Sequence, residues 1–136
     1  MGRNYLLAKK IEERNLAARQ AEEEGDMDKA IKLFEQNIRE DYADEFAFEK
    51  LMIIYRKQKE YEKELKVINR GLKVFQQQMS EHLKNSLGRR IDEKTLEQLS
   101  NAIIKKTGAK EKDLHYPDPI DKWIKRKEVV EQKLEK

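Results

Sequence analysis

Apolar residues recur every three to four positions through the first half of this chain, which is the spacing of one face of an α-helix. Gly25 can end the first such helix, and Asp26 and Asp44 can cap the next two. Only 5 Gly and 2 Pro occur in 136 residues, which favours long helices over sheets. Four helices are predicted, with these apolar stripes: Leu16, Ala17, Ala18 and Ala21; Met27, Ala30, Ile31, Phe34 and Ile38; Phe48, Leu51, Met52 and Tyr55; Tyr61, Leu65, Ile68 and Leu72.

The second pair of stripes repeats the first at a fixed distance. Residues 25–34 align with residues 59–68 without a gap, at an offset of 34 residues. Lys29 falls on Lys63, acidic residues fall on acidic residues, and bulky apolar residues fall on bulky apolar residues. Self-similarity at a fixed period is typical of stacked repeats. Each unit is therefore predicted to be a helix, a tight turn and a second helix.

The segment from Gly25 to Phe34, Gly-Asp-Met-Asp-Lys-Ala-Ile-Lys-Leu-Phe, resembles the tetratricopeptide repeat family. The resemblance covers roughly residues 11–75 and implies an all-α fold of stacked helical hairpins, a short α-solenoid. The second unit departs from the family pattern, because Lys59 replaces the turn Gly and Glu64 replaces a small Ala. We therefore expect the second repeat to be looser than the first. Gly71 is expected at a close contact between helices.

The flanking segments are predicted to cap these repeats. Leu6, Leu7 and Ile11 extend the first helix backwards, and no helix breaker precedes Leu87 in the fourth. Downstream we predict a helix from Asp92 carrying Leu96, Leu99, Ile103 and Ile104, a loop over 109–117, and a final helix after Asp118-Pro119 that docks through Trp123. The predicted division is residues 1–87 for the two repeats and 88–136 for a divergent helical cap of the same domain.

If the family geometry carries over, the first helix of each repeat lines the concave face of the stack. The predicted partner-binding residues there are Asn15, Arg19, Phe46, Glu49, Lys50, Ile53, Arg56 and Lys57. Phe46 and Ile53 are not needed for the repeat core, so either they contact a partner or the C-terminal helices bury them. A basic rim around apolar residues favours an acidic or C-terminal protein segment. The predicted function is a non-catalytic protein–protein interaction module, a small adaptor or regulator.

Two other interpretations stay open. The C-terminal helix carries Lys122, Lys125, Arg126 and Lys127 near Trp123, which is compatible with a nucleic-acid-associated regulator. Acidic residues interrupt this cluster, so nucleic-acid binding is the less favoured interpretation. A homo-oligomer is the third, because two repeats leave an apolar end face that self-association could cover.

Composition narrows the classes of function that remain open for this chain. Charged residues make up 42% of the chain, with 30 basic and 27 acidic residues, so the surface is of mixed sign. The chain has no Cys, and its 2 His each stand alone, so we predict no metal site, no cofactor and no catalytic residues. No apolar run is long enough to span a membrane. The expectation is a cytoplasmic protein that is not an enzyme.

Overall fold

The protein is all-helical over the residues that its computed structural model describes, which are 2–87, 94, 98 and 118–135. The helices are α1 (Gly2–Glu23), α2 (Met27–Arg39), α3 (Glu45–Lys57), α4 (Tyr61–Leu87) and α5 (Ile120–Glu135). The extended first and fourth helices are confirmed. The predicted helix from Asp92, apart from helical Lys94 and Gln98, and the predicted loop over 109–117 lie outside the described residues.

The first four helices form two packed hairpins, α1–α2 and α3–α4, whose turns have the same hydrogen bonds. The amide of Asp26 donates to the carbonyl of Ala21 at 2.8 Å, and 34 residues later the amide of Glu60 donates to the carbonyl of Tyr55 at 2.8 Å. This bond, from the third residue past each helix, is the closing contact of a Schellman motif. The repeat inferred from the sequence is therefore present in the backbone, and the all-α stack of helical hairpins is confirmed.

Lys59 takes the left-handed backbone conformation that the repeat position requires. Its φ is 59°, beside 83° for Gly25 at the equivalent place in the first turn. A side chain in this region of φ/ψ space costs about 1–2 kcal/mol, whereas glycine adopts it freely. The second turn thus keeps its geometry at the expense of local strain.

Predicted caps fix where α2 and α3 begin. The side chain of Asp26 accepts a hydrogen bond from the amide of Lys29 at 3.2 Å. The side chain of Asp44 accepts one from the amide of Ala47 at 3.4 Å. Each bond satisfies a donor that the first turn of a helix leaves free, so both cap predictions are confirmed.

The core runs through both hairpins and continues into α5. Small residues allow α1 and α2 to approach, since Ala18 and Ala30 are fully buried and Ala21 is buried. Leu16, which was predicted to belong to this stripe, is instead 60% exposed. Three neighbouring small residues already fill that face of α1, so Leu16 falls on the opposite side. The other large buried side chains in the hairpins include Phe34, Phe48, Leu51, Met52 and Ile68.

Trp123 anchors α5 to the second hairpin, as predicted. It is 1% exposed, and its ring centroid lies 5.7 Å from that of Phe48 and 5.1 Å from that of Phe75. Gly71 lies beneath it: a Cβ atom added there would meet Cζ3 of Trp123 at 2.8 Å. The close contact expected at Gly71 is therefore confirmed, and its partner is the cap helix.

Helix α5 lies on the edge of α3 that faces away from α1. Glu49 accepts a hydrogen bond from Nε1 of Trp123 in α5 at 3.3 Å. The next residue, Lys50, pairs instead with Glu22 of α1 at 3.1 Å. At the far end of α5, Nζ of Lys133 lies 5.4 Å from the ring centroid of Tyr61. Helix α5 therefore caps the end of the stack and does not fold across the exposed face of α3.

Candidate partner-binding surface

Asn15, predicted to contact a partner, is held inside the fold. Its side-chain amide donates to Oδ2 of Asp44 at 2.8 Å, and its side-chain oxygen accepts from Nδ2 of Asn37 at 2.8 Å. Asn37 is 2% exposed and also donates to the carbonyl of Ile11 at 3.0 Å. Asn15 thus joins α1 to α2 and to the cap of α3, and these hydrogen bonds are structural.

Glu49, Lys50 and Arg56 also have partners within the fold. Glu49 contacts Lys122 and Trp123 of α5, and Lys50 pairs with Glu22 of α1. The Arg56 guanidinium donates from Nε to Oε1 of Glu64 at 3.1 Å, and its Nη2 lies 3.0 Å from Oε2. These three side chains brace α3 against its neighbours, and each of them is 30–31% exposed.

The other four predicted residues form an exposed surface, called here the α1–α3 surface: Arg19, Phe46, Ile53 and Lys57. Phe46 is 36% exposed and Ile53 is 44% exposed. They lie seven residues apart on α3, which is two helical turns, so they share one face. Lys57 follows Ile53 by one turn on the same face. The sequence left open whether the C-terminal helices bury Phe46 and Ile53. Helix α5 does not bury them.

Phe46 is fixed in place although it is partly exposed. Its ring meets that of Phe34 edge to face, with 5.9 Å between the centroids and 62° between the planes. Cζ of Arg19 lies 5.9 Å from the Phe46 centroid, within the range of a cation–π contact. An aromatic ring held on two sides loses little further freedom when a partner packs against it.

Positive charge dominates the α1–α3 surface. Neither Arg19 nor Lys57 forms an ion pair with another residue in the described ranges. The neighbouring Lys50 is neutralised by Glu22. The surface therefore presents two apolar side chains with an unpaired cation beside each of them.

Glu64 is the principal residue that sequence reasoning misjudged. It is 0% exposed, and its Oε2 accepts from Nε of Arg126 in α5 at 2.7 Å while Arg56 binds from α3. Burial, followed by the nearby charge of Arg56, lowers the pKa of Arg126 despite the opposing effect of Glu64. Glu64 stands where the tetratricopeptide pattern has a small Ala. This carboxylate was the feature of the sequence that could have indicated a buried ion pair, whereas we expected it to loosen the second repeat.

The basic residues of α5 mostly bind within the fold. Lys122 pairs with Glu45 at 3.4 Å and with Glu49, and the hydrogen bond to Glu49 raises the pKa of Lys122. Lys125 pairs with Asp121 at 3.2 Å, and Arg126 pairs with Glu64. These contacts engage three of the four cations on which the nucleic-acid interpretation of the C-terminal helix depended, and the fourth, Lys127, forms no ion pair within the described ranges.

The described ranges contain neither a cluster of side chains typical of a metal site nor a helix typical of a membrane span. No group of three or more His and carboxylate side chains there is placed to hold a metal ion. Among the same residues, no helix combines the length and the apolarity that crossing a bilayer requires.

Comparisons with protein-family profiles, curated proteins and solved structures give no match to this chain.

Proposed function

We propose that this chain is a non-catalytic protein-interaction module of tetratricopeptide-like hairpins, and that its α1–α3 surface binds an acidic segment of another protein. The observation that carries the proposal is the exposure of Phe46 and Ile53 on a helix whose core positions are already filled. Phe48, Leu51 and Tyr55 pack inward from the same helix. Packing among the described residues therefore leaves Phe46 36% exposed and Ile53 44% exposed.

The chemistry of the partner follows from the charges around these side chains. Arg19 stands beside Phe46, and Lys57 stands one turn from Ile53. Carboxylates on a partner would complement both cations, while an apolar side chain packs between them. Two turns of α3 separate Phe46 from Ile53, about 10 Å, a length that a short helix or an extended tripeptide covers.

A displayed library of random peptides, selected on the full chain, tests this proposal. We expect enrichment of peptides that carry an apolar residue flanked by Asp or Glu. The best peptide is then titrated by fluorescence anisotropy against the wild type and against Ile53→Ser combined with Lys57→Glu. The double variant should weaken binding by at least about tenfold, which corresponds to about 1.4 kcal/mol.

The chain offers a matched control on α1. Leu6 and Lys10 have the same spacing as Ile53 and Lys57, Leu6 is 60% exposed, and Lys10 is exposed. Leu6→Ser combined with Lys10→Glu makes the same chemical change elsewhere and should leave the affinity within about twofold. Failure to select any acidic peptide, or equal binding by the Ile53 and Lys57 double variant, would overturn the proposal.

A further inference from the structure

A row of cations follows the outer face of α4. Lys63, Lys66, Arg70 and Lys73 occupy positions i, i+3, i+7 and i+10, and all four are exposed. Helical geometry places such positions on one side of the helix. We call these four residues the basic strip of α4.

Acidic residues are missing from the sequence along most of this strip. Between Glu64, which is buried, and Glu81, α4 contains no Asp or Glu. Uncharged polar residues stand there instead, including Asn69 and the run 76–78 of Gln. Acidic residues make up 27 of the 136 in this chain, so the face differs from its mixed-sign surface elsewhere. It also differs from α5, whose cations alternate with carboxylates.

Three of the four cations have no ionic partner among the described residues. Lys63, Lys66 and Lys73 form no ion pair within these ranges, although Nζ of Lys63 lies 5.9 Å from the ring centroid of Tyr55. Arg70 is held by Asp41 at 3.0 Å and by the carbonyl of Ile38 at 3.0 Å. The strip thus combines one fixed guanidinium with three lysines that have no carboxylate partner in the described ranges.

Two open cavities adjoin the strip and share Arg70. One, of about 480 Å³, includes Lys63 and Lys66 in its lining, and the other, of about 380 Å³, includes Lys73. The larger cavity is also lined by Glu35, which accepts the hydroxyl of Tyr55 at 2.5 Å, and the smaller one by Asp41, which pairs with Arg70. The cavities give an anion room to approach the strip from the groove between α2 and α4.

We propose that the basic strip binds the phosphate backbone of a nucleic-acid duplex. The ten helical steps from Lys63 to Lys73 span about 15 Å, which is close to the width of about 12 Å of the major groove of a duplex. Cations at the two ends of the strip can therefore contact phosphates of both strands when α4 lies across the groove. Tyr55, the aromatic residue that lines the cavity beside the strip, is 5% exposed and donates its hydroxyl to Glu35, so its ring is not open to stacking by an unpaired base, which favours a duplex over a single strand. This site lies on α4 and is separate from the α1–α3 surface.

The experiment measures the salt dependence of duplex binding. Two DNA duplexes of about 20 base pairs with unrelated sequences are titrated by fluorescence anisotropy from about 50 to 200 mM salt. Contacts to the backbone alone carry no sequence information, so both should bind equally within about twofold. Three unpaired lysines, with one phosphate each, predict a slope of log K against log salt of about −2.7. Lys63→Gln, Lys66→Gln and Lys73→Gln together should reduce its magnitude by about 2.7.

The matched control neutralises three lysines of other helices. Lys9→Gln, Lys10→Gln and Lys29→Gln make the same change in net charge and should shift the slope by less than about 1. Circular dichroism of both triple variants verifies that they fold. The proposal is overturned if neither duplex binds at the lowest salt, if the two triple variants change the slope equally, or if the α4 variant keeps the wild-type slope.

Discussion

Replacing Gly71 by Ala is expected to destabilise the protein because α5 packs directly over this position. The added Cβ would lie 2.8 Å from Cζ3 of Trp123 and 3.2 Å from Cδ1 of Phe48. Neither ring can move away easily, since Trp123 is also in contact with Phe75. The substitution therefore has to push α5 outward or distort the aromatic cluster.

Two opposing effects set the size of the change that Gly71→Ala makes in the free energy of unfolding. Overpacking a core position typically costs about 1–3 kcal/mol. Ala in place of Gly inside a helix returns about 1 kcal/mol through its higher helix propensity. Because the neighbouring atoms belong to rigid rings, we expect an overpacking cost of about 2–3 kcal/mol. The net loss in the free energy of unfolding is then about 1–2 kcal/mol.

A double-mutant comparison isolates the cause. In a Trp123→Leu background the two indole atoms near the new Cβ are absent and Phe48 loses the ring that holds it in place, so Gly71→Ala should there stabilise the protein by about 0.5–1 kcal/mol. Urea unfolding of the wild type, the two single variants and the double variant is followed by circular dichroism. Tryptophan fluorescence is unsuitable because Trp123 is the chain's single Trp and two of these proteins lack it. If Gly71→Ala stabilises the wild type as well, α5 does not pack over Gly71 as described.

Three further substitutions test the turns, the buried ion pairs and the first hairpin. Lys59→Gly should stabilise by about 0.5–1 kcal/mol by removing left-handed strain, and a lower urea midpoint would refute this explanation. Glu64→Ala should cost about 3 kcal/mol, because Arg56 and Arg126 would then face each other without a counter-charge; an unchanged melting temperature would contradict it. Ala30→Leu should cost about 1–3 kcal/mol by overpacking α1 against α2, and an unaltered melt would count against that packing.

Much of the fold was predictable because it depends on local patterns. The caps at Asp26 and Asp44 follow from neighbouring residues along the chain, and the offset of 34 residues follows from self-comparison. The small size of Gly71 indicated a close contact, but its partner, Trp123, is known only from the fold. Leu16 was misassigned for a physical reason: Leu16, Ala17, Ala18 and Ala21 together cover more of the helix surface than the core can bury. Periodicity alone does not show which of them faces outward.

The binding surface was less predictable because it depends on which charges meet across helices. The sequence places Arg56 on the same helix as Phe46 and Ile53, but its partner Glu64 comes from α4. Glu49 likewise meets Trp123 and Lys122 only because α5 returns from 74 residues away to cap the stack. Such pairings depend on tertiary packing, which the sequence does not show. Side chains that contact neighbouring helices in the fold were therefore predicted to contact a partner.

Amide chemical-shift mapping with the peptide selected on the wild type tests the central claim most directly. The full chain, labelled with ¹⁵N, is titrated with that peptide, and the shifts are compared across the helices. The account predicts the largest changes on the α1–α3 surface, around Arg19, Phe46 and Ile53. Changes concentrated along α4 or α5, with those three residues unaffected, would contradict it.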